Sequence, residues 1–439
     1  MNLLKRFVRG GGCGCHARPF SKFVIPDNSR TAKFATGPLS GINVVELEGL
    51  AIAPFIGKLL QDYGARIIRV DRRDRKPHYG TTALGRDKHV MQLDLKDEED
   101  KKMFLEMIAD QDILIDPYRP GVMERLGLGE KKLKEVNKRL IYTRVTGYGG
   151  TGPLANAAGH DINYLAISGV LSMLSRQLEN GTVSRPMPPV NFLGDFAGGG
   201  LSAGFGIMLA LYEREKSGLG QTVDVSVLDG LNYMSGFFHN LMQKGGWDDL
   251  SPGTHIIDTG AHFYEVYECK NPGEFVAVGA IEPQFYRNLV ACMGLDPKVL
   301  PAQDDEGTWP SMKEQFSSIF KTKTRDEWDE VCAEKDTCLT PVLTLEDMWS
   351  HPHSIDRDMF DPALKNECGE HAPSGPVRLS RTPNMSMVYT GPDFSFIDPP
   401  RYTFADKLGL NDLDIDDEGF FADVLIPPKK REPEDDDDK

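Results

Sequence analysis

The sequence predicts an α/β protein with a mostly parallel sheet, and two observations lead to this prediction. Short runs rich in Val, Ile and Leu alternate with helical stretches of about ten residues through the first half of the 439-residue chain. A second, smaller alternation of strand and helix follows over roughly residues 255–350. We therefore expect a large Rossmann-like domain with a parallel sheet and a smaller α/β domain.

The individual elements are predicted from apolar runs and from helical spacing. The predicted strands are INVVEL (42–47), ARIIRV (65–70), HVMQLDL (89–95), DILID (112–116), LIYTRV (140–145), TVDVSV (222–227) and FVAVGA (275–280). Helices are predicted near 54–63 and 98–110, and a long helix is predicted from about Phe196 to Lys216. The alternating order of these elements is typical of βαβ units.

Composition and element order divide the chain into five segments. We expect a leader over 1–35, the large domain over 36–225, a linker helix with the small domain over 226–355, a return to the large domain over 356–425, and an acidic disordered tail over 426–439. The first 33 residues carry seven basic residues and one acid, which is typical of a mitochondrial transit peptide. A disordered native N-terminus is the alternative. The final DDDDK also matches a common protease-cleavage tag.

Charge and cysteine usage exclude several classes of function. The formal net charge of −16 argues against a nucleic-acid partner, because phosphate binding needs a basic surface. No apolar run approaches the about 20 residues that span a bilayer, so no transmembrane segment is expected. The seven cysteines show no metal-ligand spacing, so we expect free thiols and no metal site.

The motifs also argue against a nucleotide cofactor. Asp71 ends the second predicted strand, where a nicotinamide-binding protein places its ribose acid. The turn after Leu47 nevertheless reads EGLAIAPF and has no G-x-G-x-x-G, and the chain contains no G-x-x-x-x-G-K. A Rossmann-like fold without NAD is therefore expected.

Three residues are candidates for chemistry, and each has a simpler structural alternative. His160 in AAGHDINY precedes a helical pattern, where the positive helix end favours a neutral imidazole; the alternative is a capping or core histidine. Asp195 precedes three glycines, which suit a close approach by a ligand or a backbone; the alternative is an N-cap. Glu282 follows the strand FVAVGA, where it would either cap a helix or orient a histidine.

Basic residues follow the predicted strands of this acidic chain. RVDRRDRK (69–76) carries five positive charges, and Arg86, Lys88, Lys96 and Arg119 are near it in sequence. Ligands of open α/β sheets bind at the carboxyl ends of strands, so these side chains are candidates for binding phosphate groups. A solvated charged face is the alternative.

Longer motifs resemble a known family. GINVVELEGLAIAPFIGKLLQDYGARIIRVDR, LIYTRVTGYGGTGPLANAAGHDINYLAISGVLS, NFLGDFAGGGL and GAIEPQFY are similar to the family III CoA-transferase/racemase group, over about Gly41 to Leu345. The resemblance implies an interlocked homodimer with active sites between subunits. It also implies that His160 and Asp195 are the two catalytic bases and that Glu282 supports the histidine.

The resemblance further implies where a CoA thioester binds. The expected contacts are Arg72 after the second strand, the LDLK segment Leu93, Asp94, Leu95 and Lys96, and the thioester-lining residues Gly159, His160, Asp161, Ile162, Asn163 and Tyr164. No separate cofactor is expected, because coenzyme A is part of the substrate. The large domain over 36–225 is accordingly the expected CoA-binding domain.

The expected reaction interconverts (R)- and (S)-2-methylacyl-CoA thioesters, as in branched-chain fatty acid or bile-acid-type metabolism. Two opposed bases of comparable strength would remove and return the α-proton through an enolate, whose oxygen would be held by backbone N–H groups at two helix N-termini. The first alternative is a CoA-transferase with Asp195 as nucleophile, although such enzymes commonly have an aromatic residue where this chain has His160. The second is a non-catalytic acyl-CoA-binding protein. Mitochondria are the expected location, and peroxisomes remain open.

Overall fold

The computed structural model describes residues 37–74, 84, 88–178, 182–247, 252–360 and 373–382. The predicted leader and acidic tail lie outside the described residues, as does most of the predicted return segment over 356–425. Within that segment, the backbone N–H of Val377 donates to the Tyr63 hydroxyl, and this hydroxyl donates to the Val377 carbonyl oxygen. The segment near residue 377 therefore contacts the turn that follows the first helix.

The large sheet has six parallel strands, and their order is β3-β2-β1-β4-β5-β6. The strands are β1 (Asn43–Leu47), β2 (Arg66–Arg72), β3 (His89–Leu93), β4 (Ile113–Asp116), β5 (Ile141–Thr146) and β6 (Thr222–Ser226). The order reverses between β1 and β4, as in dinucleotide-binding folds, and ligands of such sheets bind at the carboxyl ends of the strands. The predicted α/β class and parallel sheet are confirmed.

Helices join these strands and continue beyond them. They are α1 (Ile52–Gln61), α2 (Glu98–Ile108), α3 (Val122–Arg125), α4 (Glu130–Val136), α5 (Asp161–Ile167), α6 (Ser202–Ser217), α7 (Val227–Met234), α8 (Gly236–Gln243), α9 (Pro283–Cys292), α10 (Trp309–Phe320), α11 (Arg325–Cys332), α12 (Leu345–Ser350) and α13 (Pro352–Asp356). Asp97 caps α2 by accepting the backbone N–H groups of Glu99 and Asp100. Ser226 caps α7 in the same way at Asp229.

Apolar strands form the core of the large sheet because both faces are covered. Val44, Val45 and Leu47 of β1 and Ile113 of β4 are fully buried. Val44 and Ile113 pack with Ile56 of α1 and with other apolar side chains from the strands and from α6. Near-continuous Val, Ile and Leu is expected in parallel strands that helices cover on both sides.

A second, antiparallel sheet lies within residues 264–341. It comprises β7 (Tyr264–Glu268), β8 (Phe275–Gly279) and β9 (Leu339–Pro341) in that order. Aromatic side chains dominate its core, and the rings of Tyr267 and Phe320 stack at 4.9 Å. This sheet matches the smaller α/β region that the sequence predicts.

The long helix begins earlier than the sequence predicts. A π-helix over Phe192–Leu201 precedes α6, and the two form one continuous helical segment. Asn191 occupies the N-cap position with a φ of 68°. The wrong start has a physical reason: the missed residues belong to a π-helical turn, in which the Phe196 N–H donates to the Asn191 carbonyl oxygen five residues back, and the 3.6-residue period used for the prediction does not describe such a turn.

This continuous segment, Phe192–Ser217, is long and apolar enough to cross a membrane by length and composition. One side of α6 is nonetheless part of the core, where Ala203, Ile207 and Ala210 pack against the large sheet. The opposite side exposes Phe205, Met208, Leu209 and Tyr212, which recur at the spacing of one helix face.

Candidate active site

The candidate site lies where α5 meets the π-helix. Both elements lie in the chain between β5 and β6. α5 comes after β5, and the π-helix continues through α6 to β6. The backbone N–H of Asp195 donates to Asp161 Oδ1 at 2.8 Å and joins the two elements. Residues 34 positions apart in the chain are thereby brought together.

Asp195 is a buried carboxylic acid in the first turn of the π-helix. Its side chain is 7% exposed, and Asn191 Nδ2 donates to Asp195 Oδ2 at 2.7 Å. Burial, and to a smaller extent the neighbouring Asp161 carboxylate, raise the pKa of Asp195 to about 6 against the opposing effects of Asn191 and His160. Asp195 lies inside the helix, with Asn191 at the N-cap position, so the simple N-cap interpretation of Asp195 is wrong.

Asp161 is the first residue of α5, and its side chain points into the protein. It is 3% exposed and accepts the backbone N–H groups of both Gly194 and Asp195. An added Cβ at Gly194 would lie 2.2 Å from Asp161 Oδ1, so only glycine fits there. The N–H groups of Gly194 and Asp195 at this end of the π-helix are therefore occupied by Asp161 and are not available to an enolate.

His160 stands at the N-cap position of α5 with its side chain exposed. Its backbone N–H donates to Asn163 Oδ1 at 3.1 Å, so His160 and Asn163 form a capping box at the start of α5. The imidazole interacts electrostatically with the Asp195 carboxyl. His160 is thus not a core histidine; it stands at the N-cap of α5, as the capping alternative expects, and its exposed ring can be reached by a ligand.

Tyrosine side chains hold the loop that carries His160. The Tyr164 hydroxyl donates to the Gly159 carbonyl oxygen, and the Tyr164 ring meets that of Tyr148 edge-on at 4.9 Å. An added Cβ at Gly159 would lie 2.8 Å from the Tyr148 hydroxyl oxygen. Of the predicted thioester-lining residues, Gly159 and Tyr164 therefore shape the loop, while Ile162 is 46% exposed beside His160.

Glu282 stands at the N-cap position of α9, just beyond β8. Its side chain is exposed and makes no capping hydrogen bond. Within the described chain it makes no hydrogen bond to His160 either. The structure therefore brings Asp195, Asp161 and His160 together, and it leaves Glu282 outside that cluster.

The predicted CoA contacts meet at the carboxyl edge of the sheet. Arg72 of β2 is in register with Leu93 of β3, so the LDLK segment runs on directly beside Arg72. The side chains of Arg72 and Lys96 are exposed, whereas those of Leu93 and Leu95 are buried and leave only their backbone for a ligand. Asp94 Oδ1 accepts the backbone N–H of Lys96 at 3.0 Å, which shapes this turn.

Two of the basic residues that were candidates for binding phosphate are buried in the protein interior. Lys88 is fully buried and pairs with Glu46 at 2.7 Å, and it also donates to the Pro54 carbonyl oxygen. Arg69 is 4% exposed and pairs with Asp71 at 2.8 Å. The interpretation of these two residues as phosphate ligands is therefore wrong, because both charges are satisfied inside the fold. Asp71 is likewise unavailable to a ribose.

Asn191 was missed as a site residue by the sequence reasoning, whereas Asp161 was predicted to line the thioester and instead accepts the backbone N–H of Asp195. Asn191 lies four residues before Asp195, which on a helix places the two side chains on one face. That spacing was the available signal, but it depended on starting the helix at Phe192. Among the described residues, no group of three or more His, Cys, Asp or Glu side chains could hold a metal ion.

Comparison with known proteins gives one consistent result. The model of CoA-transferase family III matches residues 39–393. Alpha-methylacyl-CoA racemase from mouse is 44% identical over 348 residues, covering 79% of this chain and 87% of that protein. The human racemase is 44% identical over 322 residues, covering 73% and 82%. A crystal structure of a CAIB/BAIF family protein from Brucella suis has a TM-score of 0.70 at 21% identity, covers 86% of this chain and all of that one, and shares the fold.

Proposed function

The chain belongs to family III of the CoA-transferases, and we propose that it is a racemase that interconverts (R)- and (S)-2-methylacyl-CoA thioesters. The observation that carries this proposal is the pairing of His160 with Asp195. An exposed imidazole acts electrostatically on a buried carboxyl whose pKa is raised to about 6. A carboxyl with a pKa of about 6 can give up and take back a proton close to neutral pH, which a base that works in both directions must do. The identity to racemases from mouse and human supports the same reaction.

The proposed reaction is a transfer of one proton off the α-carbon and one proton back. One base removes the α-proton, and the electron pair moves into the thioester carbonyl to give an enolate. The other base then donates its proton to the opposite face of the α-carbon, which inverts the configuration. At the end, the first base carries a proton and the second base has lost its own. His160 and Asp195 exchange roles when the substrate has the other configuration.

The CoA moiety is proposed to lie along the carboxyl edge of the large sheet. The exposed Arg72 and Lys96 side chains are placed there to meet phosphate oxygens, which guanidinium and ammonium groups bind well. Coenzyme A is thereby part of the substrate. The proton transfers use only side chains of the protein, so the proposal includes no cofactor.

Two alternatives make different use of the same residues. In a CoA-transferase, Asp195 would attack the thioester as a nucleophile, which is favoured by an ionised and accessible carboxylate. Asp195 is instead 7% exposed and holds its proton to about pH 6, which favours an acid–base role. A non-catalytic binding protein would have no need of an exposed histidine beside a buried acid.

We propose that the active unit is a homodimer. Glu282 is expected to support a histidine, yet in one chain its carboxylate is exposed and unpaired with His160. The apolar face of α6, formed by Phe205, Met208, Leu209 and Tyr212, is also exposed. A second copy that covered this face and brought its own Glu282 to His160 would satisfy both features. On this proposal α6 belongs to the core and the subunit contact, without a transmembrane segment.

The decisive experiment incubates a chirally pure 2-methylacyl-CoA with the protein in D₂O. We expect racemisation with uptake of deuterium at the α-carbon, followed by NMR and chiral analysis. His160→Ala is expected to abolish exchange in at least one direction, because one of the two bases is then missing. Transfer of CoA to an added carboxylic acid, without α-exchange, would show that the transferase alternative is correct. Unchanged exchange by His160→Ala would remove that residue from the mechanism.

The cellular location is a separate proposal. The basic, acid-poor first 33 residues support a mitochondrial location, with peroxisomes as the alternative.

A further inference from the structure

Asp161 is a buried carboxylate with no cation to balance it. Its side chain is 3% exposed and makes no ion pair with any described residue. Its recorded partners are the backbone N–H groups of Gly194 and Asp195. A buried carboxylate is costly unless it is paired or hydrogen-bonded, so this position needs an explanation.

The contacts of Asp161 connect its side chain to Asp195. The hydrogen bond to the Asp195 backbone fixes the first turn of the π-helix against α5, and Gly194 provides the space that the carboxylate occupies. The Asp161 charge also acts on the Asp195 carboxyl itself. Among the charged groups on the described elements packed around Asp195, Asp161 opposes its ionisation and His160 favours it. Tyr164, on the next turn of α5, also faces Asp195 and is expected to stay neutral.

We propose that Asp161 is a positioning residue whose buried carboxylate fixes Asp195 in place and keeps the proton on the Asp195 carboxyl. Two carboxylates in one buried site resist being ionised together, so a charge on one favours the protonated form of the other. Burial raises the pKa of Asp161 as well, and its two backbone N–H donors oppose that rise. Among the described residues, the Asp195 side chain accepts a hydrogen bond from the Asn191 amide alone, so the donors favour the charge on Asp161 and the shared proton on Asp195. The pair therefore supplies the acid that His160, acting as the base, requires. The proposal rests on the proposed racemase function.

The test is Asp161→Asn, which keeps the shape and an oxygen acceptor but removes the charge. We expect the alkaline limb of the kcat/KM pH profile, measured in the direction of exchange that uses Asp195 as the acid, to move down by about one pH unit, because Asp195 then loses its proton more easily. Asp258→Asn is the matched control. Asp258 is also 3% exposed and also accepts two backbone N–H groups, from Gly253 and His255, but it does not act on Asp195. An alkaline limb that stays in place in Asp161→Asn would overturn the proposal.

A second measurement does not depend on turnover. In a double-mutant cycle of Asp161→Asn with Asp195→Asn, we expect the unfolding free energies to be non-additive at pH 8 and additive at pH 4, where Asp195 is protonated. Additivity at both pH values would contradict the charge coupling. A wild-type protein that shows this coupling but no α-exchange would contradict the proposed function alone, so the two failures are distinguishable.

Gly194→Ala tests the geometry separately, because the added Cβ would displace the Asp161 carboxylate. We expect it to lower kcat while thermal unfolding stays cooperative. Wild-type kcat in this variant would show that the carboxylate position is unimportant.

Discussion

At the scale of single residues, the Asp195 carboxyl is placed where ionisation is costly. Burial and Asp161 raise its pKa to about 6, so the folded chain resists the loss of its proton. A group with a raised pKa stabilises the fold fully below its ordinary pKa, and this stability is lost as the pH rises through the folded value. The residue thus reduces stability at the pH where it is expected to work.

Asp195→Asn should therefore be inactive but more stable than the wild type at pH 8, by up to about 3 kcal/mol. The difference should shrink as the pH falls through about 6 and vanish near pH 4, where both side chains are neutral. Urea unfolding at the two pH values measures this. Asp110→Asn, at an exposed position, is the control and should change little. Equal stability of Asp195→Asn and wild type at pH 8 would show that the carboxyl is not strained by burial.

At the scale of elements, the π-helix is fixed by close backbone packing against α7. An added Cβ at Gly230 would lie 2.1 Å from the Gly198 carbonyl oxygen, which is far inside contact distance. An added Cβ at Gly200 would lie 2.4 Å from the Phe55 ring. The glycines after Asp195 thus allow neighbouring elements to approach, and this approach holds the first turn of the π-helix.

Gly230→Ala should destabilise the protein by about 1–3 kcal/mol, because a backbone carbonyl cannot move aside as a side chain can. It should also lower kcat, since Gly198 and Asp195 share one helix. Urea unfolding and α-exchange rates measure the two effects. Gly236→Ala is the matched control, because Gly236 begins the next helix and has open space around its Cα. Wild-type behaviour of Gly230→Ala would mean that the two backbones are not tightly packed.

At the scale of the whole molecule, the three predicted catalytic residues do not all lie together within one chain. His160 and Asp195 meet at the carboxyl edge of the large sheet, while Glu282 lies at the end of β8 in the small sheet. The exposed apolar face of α6 gives a second copy a surface to cover. A dimer that shares its sites accounts for both observations.

This arrangement predicts complementation between inactive chains. His160→Ala and Glu282→Gln should each be nearly inactive alone, but co-expression should restore about a quarter of wild-type activity. Half of the dimers are then mixed, and each mixed dimer has one site with both residues intact. Activity of the co-purified mixed dimer in the exchange assay measures this. A mixed dimer as inactive as its parents would show that Glu282 serves its own chain or neither.

The sequence by itself determined the α/β class, the strand positions and the identity of the candidate bases. Apolar runs mark buried parallel strands because such strands need uniform side chains on both faces, and His160 and Asp195 stand in long motifs. Only the tertiary structure decided which charged side chains are buried in ion pairs or hydrogen bonds. Lys88 and Arg69 look like phosphate ligands in the sequence, yet they form buried ion pairs. Asp161 looks like a binding residue, yet its side chain lies beneath Asp195. The cost of a charge depends on what surrounds it in space, and residues far apart in the chain supply those surroundings.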